Sequence, residues 1–582
     1  MQSVDYTTLV AICAELQDQF IPARVEQVYQ RDRHTLFIAL RTLQGRDWLT
    51  LSWHPQAARL HIGSPPPRIP DTFTLSDQLR HQLKGLALTT VILTQPWERV
   101  VDLKFARRPG EAPLWHLYME IMGKYSNLIL TDANQQIVTT AHQVRSHQST
   151  VRTIETGQPY SPPPSPPGYL PRVDEAFESW RDRLALIPGQ LDKQLYQTYR
   201  GVSPVVARTL SQLAQLQPRQ TTDTLTPEDW QQLWQQWQGW LNRLETATFT
   251  AGFTPSGYSV LSDVTNNTSP TMQELLNRYY TQQWNQQQFG QLHHQLSQQV
   301  RNQLKKLRQK AKGFHKRLAQ SEEAETYRAQ ADLLMAYLHQ WQPGLQQMVL
   351  ADFETGAPCT IPLNPEKNAV QNAQVLYKKH QKLKRSRAAI QPLLDATQAE
   401  IDYLEQVESD LLQAATYEQP DDLSTLEEIR EELIQQGYGK SDRARRSDLK
   451  TETQPRCYQT PSGFELWVGR NNRQNDRLTF RTANEYDLWF HTQEIAGSHV
   501  LLRLEPGAVP DAQDLQFAAN FAAYYSRGRQ SDQVPVVYTR PKFVYKPKGA
   551  KPGVAIYKRE QIIWGRSQQA ADFLHGQAAN PR

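Results

Sequence analysis

The chain has 582 residues, 39% hydrophobic and 21% charged, with a formal net charge of +5. That length excludes a single core and points to several domains of roughly 100 to 200 residues each, while a charge this small is only a weak pointer to a polyanionic partner. The cysteines Cys13, Cys359 and Cys457 lie too far apart for a disulfide framework or a cysteine-built zinc site, and no run of about 18 apolar residues exists to span a membrane.

Residues 1–157 open on "MQSVDYTTLVAICAELQDQF", whose acids sit inside an amphipathic pattern and not in a basic region followed by an apolar block, so a cytoplasmic protein is expected. Leu9, Cys13, Leu16 and Phe20 step by three or four as on one helical face. Short segments rich in β-branched and aromatic residues follow, from "HTLFIAL" to "IVTTAHQV", and read as a β-sandwich or partly open barrel. At 158–171 five prolines between 162 and 167 predict a polyproline-like linker. Residues 172–262 turn helical. Gly201 and Pro204 stop one helix and start the next, with Ser203 as N-cap, because glycine tolerates the left-handed cap and proline suits the first helical position. Such a hairpin either grips nucleic-acid backbone or simply packs.

A long helix is expected from about 272 to 341, with Leu292, Leu296, Val300, Leu304, Leu307, Ala311, Phe314 and Leu318 as a coiled-coil seam. Ile401, Leu404, Val407 and Leu411 repeat the spacing, so 272–436 reads as an antiparallel coiled-coil arm turning near residue 353. Its two helices differ in charge: Arg301, Lys305, Lys306, Arg308, Lys310, Lys312, Lys316 and Arg317 crowd one, while acids dominate from Asp395 to Glu432. The basic stretch either neutralises the acidic helix or contacts RNA. In the connecting segment Lys378, Lys379, Lys382 and Lys384 have no acid among them and fit a phosphate-facing patch.

After a polar linker at 437–456, residues 457–570 read as an α+β unit. It ends in "TRPKFVYKPKGAKPGVAIYKR", where Arg540, Lys542, Lys546, Lys548 and Lys551 alternate with Phe543, Tyr545 and Tyr557. Cations for phosphates beside aromatic faces for bases are what RNA binding requires. Tests for chemistry come out negative. "GYGKS" lacks the phosphate-binding loop's first glycine, having Ile434 there, and His491 and His499 are eight residues apart, which fits no helical zinc pair. No catalytic residue, cofactor or metal is expected.

"EYDLWFHTQEIAGSHVLLR" and the segment from "AANFAAYYSR" to "KPGVAIY" closely resemble the RNA-binding module of the NFACT family, and "FTLSDQLRHQLKGL", "MEIMGKYSNLIL", "YRGVSPVVARTL" and "PEKNAVQNAQVLYKKHQKLK" extend the resemblance over the chain. The resemblance implies a multidomain α+β protein with a glycosylase-like β-sandwich, a helical hairpin domain, a long antiparallel coiled coil and a C-terminal RNA-binding module. It implies a non-enzymatic ribosome-associated quality-control factor. Such a factor binds the obstructed large ribosomal subunit with peptidyl-tRNA and its stalled nascent chain, and recruits tRNA for alanine tailing without mRNA; peptide-bond chemistry stays with the ribosome. A small Hsp15-like RNA-binding cofactor is a further implied partner. Two tRNA-engaging signatures carry over: the family's Asp-Arg pair falls on Glu98 and Arg99, and its Glu-Ile-Met triplet on Glu120, Ile121 and Met122, with Lys124 beside them. Glu98 is a departure, one methylene longer than Asp, which puts tailing competence in question. His491, His499 and Arg503 are candidates for contact with RNA or a neighbouring domain, with core histidines as the plain alternative. Rival readings are a DNA-repair glycosylase, disfavoured because Gln2 stands where a catalytic proline would be, and a surface adhesin for fibronectin.

Overall fold

The computed structural model describes residues 1–66, 70–149, 151–255, 257–262, 270–439 and 453–579. Most of the linker expected at 437–456 lies outside them. The chain divides into two compact units, Met1–Trp284 and Asn285–Arg582.

In the first unit α1 (Tyr6–Gln19) starts where the Asp5 carboxylate accepts the Thr8 amide at 2.8 Å, satisfying one of the helix's open donors. It buries Leu9, Ile12, Cys13 and Leu16. Strands β1 (Ala23–Asp32), β2 (Thr35–Arg41), β3 (Arg46–Ser52) and β4 (Arg59–Gly63) precede α2 (Thr74–Leu83); β5 (Ala87–Leu93), β6 (Val100–Ala106), β7 (Trp115–Glu120), β8 (Asn127–Asp132) and β9 (Ile137–Thr140) follow it. All nine belong to one antiparallel sheet in the order β4-β3-β2-β1-β5-β6-β7-β8-β9. The strands expected of a sandwich are thus hydrogen-bonded continuously. One face packs on α1 and on the helices α3 (Phe177–Ala185), α4 (Leu191–Thr198), α5 (Pro204–Leu213) and α6 (Pro227–Thr246), whose Trp180, Trp237 and Trp240 are almost fully buried. Across β6 to β9 the other face is covered by Ile154 and Tyr160. The short ribbon of β10 (Gly252–Thr254) and β11 (Gly257–Ser259) follows.

The proline-rich segment is fastened at both ends. The Tyr160 amide donates to Gln135 O at 2.8 Å and the Tyr169 amide to Thr198 O at 2.9 Å, while Pro163 is buried. It forms a strap across the unit. The turn before α5 matches its sequence signals: Ser203 Oγ accepts the Val206 amide at 3.0 Å with Pro204 next. Gly201 has φ +73°, and a Cβ there would meet the Trp97 ring at 2.5 Å, so this glycine is demanded by backbone and packing alike.

α7 (Met272–Glu322) ends earlier than its periodicity predicts, and α8 (Ala324–Ala336) restarts after Glu323. Beyond it β12 (Gln347–Ala351) and β13 (Pro358–Pro362) form a hairpin, and α9 (Ala369–Gln413) returns. The expected connecting segment is therefore a small folded tip: Leu333, Leu334, Met348, Leu350, Ile361, Ala373 and Leu376 make a core of their own. In the arm Leu296, Val300, Leu304 and Ala311 pack against Leu394, Ile401, Leu404, Val407 and Leu411, the antiparallel seam the spacing predicts. α10 (Pro420–Gln435) completes that core with Leu426, Ile429 and Leu433.

The last module begins with β14 (Arg456–Gln459) and β15 (Glu465–Val468), followed by α11 (Asn472–Arg477), which continues into a π-helical turn at Leu478–Thr482. Then come β16 (Leu488–Thr492), β17 (Val500–Leu502), α12 (Ala512–Tyr524), β18 (Val534–Thr539), the ribbon of β19 (Val544–Tyr545) and β20 (Ile556–Tyr557), β21 (Gln561–Gly565) and α13 (Ser567–Ala579). The sheet order is β14-β15-β17-β16-β18-β21. One face packs on α12 and α13 through Phe490, Phe521 and Ala570. On the other face Trp489, Leu501 and Val537 pack with Leu478 of the π-helical turn and Val544 of β19. Among the described residues no helix is long and apolar enough to cross a membrane.

Candidate nucleic-acid interface

Glu98 and Arg99 lie just before β6, on the rim of a cleft of about 440 Å³ in the first unit. Asp5, Tyr6, Trp97, Met122, the strap prolines Pro163, Pro164, Pro166 and Pro167, Tyr196, Tyr199 and the turn from Arg200 to Pro204 also line it. The Arg99 side chain forms no hydrogen bond or ion pair among the described residues, although it is largely enclosed. Burial pulls its guanidinium below the usual arginine value, and the charges of Asp5 and Glu98 act in the opposite direction. Asp5 is committed elsewhere, to the Thr8 amide and to Ser203 Oγ–H at 2.5 Å. The cleft thus offers a partly buried cation beside aromatic rings, with Asp5 and Glu98 near it, an arrangement suited to an anionic ligand with a flat face.

The Glu-Ile-Met triplet divides. Glu120, expected at a tRNA contact, is fully buried: Arg152 Nη1 and Nη2 donate to its two oxygens at 2.9 and 2.6 Å, and the Tyr160 hydroxyl donates at 2.9 Å. Burial would lower the Arg152 value, but the Glu120 carboxylate outweighs it and holds the guanidinium up. Tyr160 stacks on Tyr118 with centroids 4.0 Å apart and planes within 4°. Ile121, 1% exposed, belongs to the core. For these two residues the expectation of direct contact is corrected: a carboxylate with both oxygens taken inside the protein has nothing left to offer a ligand. Met122 lines the cleft, and the single turn Gly123–Tyr125 carries Lys124 and Tyr125 into solvent with the ammonium 4.9 Å from the ring centroid.

In the second unit Lys378, Lys379, Lys382 and Lys384 are all exposed, and they stand on α9 itself because the helix begins at Ala369. Between them His380 turns inward, its Nδ1 2.9 Å from Ala324 O. The α7 cations do not cancel against the acidic helix: among the described residues only Arg308 pairs with it, to Glu405 at 2.6 Å. Arg301, Lys305, Lys306, Lys310, Lys312, Lys316 and Arg317 stay exposed.

In the last module Arg540, Lys542 and Lys548 are exposed, with Lys542 5.4 Å above the Phe543 ring and Arg559 4.8 Å from it. Lys546 is tied to Asp476. Lys551 is tucked between Tyr403 and Tyr438, 4.6 and 4.7 Å from their centroids, and donates to the Tyr438 hydroxyl at 2.7 Å. Its part in RNA contact is corrected, because the ammonium is held between two tyrosine rings and donates to one of them. His499 is corrected too. It is 2% exposed, its Nδ1 lies 2.6 Å from Thr479 Oγ1, and burial with the neighbouring His491 holds it down at about 3. His491, held at about 4 by burial, lies 3.2 Å from Gly497 O. Arg503 stacks 4.8 Å above Trp467 and reaches Asp487 at 3.4 Å. The "AGS" between the histidines docks on α9: Gln406 donates to Gly497 O at 2.7 Å and accepts its amide at 2.9 Å, and Ser498 Oγ donates to Gln413 at 3.1 Å.

A family described as "NFACT N-terminal and middle domains" matches residues 5–452, and one described as "NFACT protein RNA binding domain" matches 454–558. The chain belongs to the NFACT family. This NFACT chain is 30% identical over 568 residues to the "Rqc2 homolog RqcH" of Bacillus subtilis (strain 168), covering 94% of this chain and 95% of that one. It is 29% identical over 571 residues to the protein of the same name from Streptococcus pneumoniae serotype 2, covering 96% and 97%. A solved structure of the C-terminal part of the fibronectin/fibrinogen-binding protein from Streptococcus suis is 31% identical, covers 49% of this chain and 98% of its own, and has a TM-score of 0.38.

Several residues of the NFACT cleft escape sequence reasoning. Trp97 and Tyr6 are joined only by folding, with centroids 4.9 Å apart, and nothing in "QSTVRTIETGQPY" marks Arg152 and Tyr160 as partners of Glu120. Tyr125 was findable, since an aromatic beside Lys124 in a glycine turn is an exposed-turn signal.

Proposed function

We propose that this NFACT chain is a ribosome-associated quality-control factor that works by holding RNA and not by catalysing bond formation. The observation that carries the reading is Arg99, a partly buried guanidinium with no hydrogen bond or ion pair among the described residues, in an open, aromatic-lined cleft. It engages tRNA there, with Lys124 and Tyr125 on the neighbouring turn as auxiliary contacts. Glu98 shapes the charge around Arg99, while Glu120 and Ile121 position the turn from inside. The exposed lysines of α9 and the Arg540–Lys548 segment hold the RNA of the large subunit, with Lys546 set by Asp476. The glycosylase-like N-terminal domain, the helical hairpin and the coiled-coil arm are the parts of such a factor. The recruited tRNA is alanyl-tRNA, the product a tail on the stalled nascent chain in the cytoplasm, and an Hsp15-like protein the cofactor.

The test is a pull-down of tagged full-length protein from cells with stalled ribosomes. Large-subunit RNA and tRNA are expected with the wild type, and Arg99→Ala is expected to lose the tRNA while keeping the large subunit. Absence of both RNAs from the wild-type sample overturns the reading. Sequencing the retained tRNA identifies the amino acid added.

A further inference from the structure

One concavity of the second unit contains none of the residues assigned above except Lys546. α10, the helix from Asn472 through Thr482, Lys546 and Pro552 enclose a groove of about 560 Å³, a size suited to a small ligand or a single nucleotide. Arg473, Arg477 and Arg481 line it at i, i+4 and i+8, the spacing that puts side chains on one side of a helix. Within the last turn the Ala483 amide reaches back five residues to Leu478 O at 3.0 Å, and Phe480 lines the groove together with Arg481. π-helical turns of this kind concentrate at functional sites.

The acids of the groove are already occupied. Glu428 accepts the Thr453 amide at 2.7 Å and Asn471 Nδ2 at 2.6 Å, Glu431 lies 3.5 Å from Arg473, and Asp476 takes Lys546 and the Gly553 amide. Glu428 keeps its charge, Arg473 and Lys546 are paired, and the open side of the groove carries Arg481 together with Phe480, whose ring also packs on the core beneath it. Arg481 is exposed and has no hydrogen bond or ion pair among the described residues, and the half-buried Phe480 ring lies beside it in sequence.

We propose that this groove holds one nucleotide of a single-stranded RNA, with a phosphate on the Arg477–Arg481 side and the base against Phe480. Planar guanidinium forks match phosphate oxygens two at a time. A base reaches an aromatic side chain only when it is splayed from its stack, which selects single strands over duplex. The assignment rests on the RNA-binding reading of this family and deepens it: the strand passes through the groove as well as over the lysine-rich loop.

The experiment is fluorescence anisotropy of full-length protein with a labelled single-stranded oligoribonucleotide of about twelve residues, within the span such sites occupy. Arg481→Gln is expected to weaken binding roughly tenfold and to reduce the salt slope by about one. Phe480→Leu is expected to weaken it with the slope unchanged. Unchanged thermal melting of both variants shows that the fold is intact, and Lys548→Gln is the comparison outside the groove. Wild-type affinity and slope in Phe480→Leu and in the Arg477→Gln, Arg481→Gln double variant overturn the groove alone, as does a photo-crosslinker at 481 that captures polypeptide and no RNA from a ribosome preparation. Failure of the wild type to bind either this oligonucleotide or large subunits overturns the underlying RNA-binding reading as well.

Discussion

The motif residues of the N-terminal cleft and those of the C-terminal histidine segment were singled out for the same reason, polar side chains in a family signature, and folding treats them oppositely. Arg99 has no hydrogen bond or ion pair among the described residues and lines an open cleft, whereas His499 is enclosed with its Nδ1 2.6 Å from Thr479 Oγ1. Glu120 shows that the division runs inside a single motif, because it lies two residues from cleft-lining Met122 and yet is sealed by Arg152 and Tyr160. A family motif therefore mixes residues left open on a cleft with residues that hold the backbone beneath them. Enclosure and hydrogen bonding distinguish the two kinds here: Glu120 is fully buried and accepts from Arg152 and Tyr160, whereas Arg99 is only partly buried on the cleft.

The comparison is broken most directly at Glu120. Glu120→Ala leaves the Arg152 guanidinium buried without its carboxylate, and a loss of about 3–5 kcal/mol in the stability of the first unit is expected by chemical denaturation. Replacing both partners, Glu120→Leu with Arg152→Met, is expected to recover most of it. A purely RNA-facing Glu120 would leave stability untouched in either case.

The histidines give the next largest effect. Their folded-state values lie below the unfolded value of about 6.5, so the folded module binds fewer protons than the unfolded chain. Their contribution is complete above pH 6.5 and is lost as pH falls toward their folded values of about 4 and about 3. On the order of 2–3 kcal/mol per histidine is expected to disappear between pH 6.5 and 4, and His499→Asn is expected to flatten that slope. A wild-type stability profile parallel to that of the variant would place His499 at a solvated surface.

Arg99→Ala tests the opposite pole. Stability is expected to stay within about 0.5 kcal/mol, because no intramolecular bond is lost, while tRNA retention falls at least about tenfold. In the basic loop the contrast recurs on a smaller scale: Lys551→Ala is expected to cost about 1 kcal/mol of stability with an unchanged salt slope, from its lost hydrogen bond and ring contacts. Lys548→Ala is expected to lower the salt slope of ribosome binding by about one and leave stability alone.

Much of the architecture was legible in the chain. The helical face of Leu9, Cys13 and Leu16, the Ser203-Pro204 cap and the Leu296-to-Leu411 seam each follow from a local period or a cap that needs no tertiary information. β1 was hidden because bulges between Val25 and Gln27 and between Gln30 and Asp32 break its alternation. The tip of the arm was read as a connector because its hairpin buries only Met348, Leu350 and Ile361, too few apolar positions to declare a core. Charge segregation along α7 and α9 was visible in the sequence, but only the structure shows that Arg308 pairs with Glu405 while the other cations stay exposed.

The amino-acid sequence by itself determined most of the helices and strands, the pairing of the two long helices of the arm and the family to which the chain belongs, since periodicity and signature residues are properties of neighbours along the chain. The single nine-stranded sheet, β1 and the hairpin at the tip of the arm belong to the tertiary structure. Only the tertiary structure decided which polar residues face a ligand. The hydrogen-bond partners of Glu120, His499 and Lys551 come from positions 32, 20 and 113 residues away, and no local pattern encodes them.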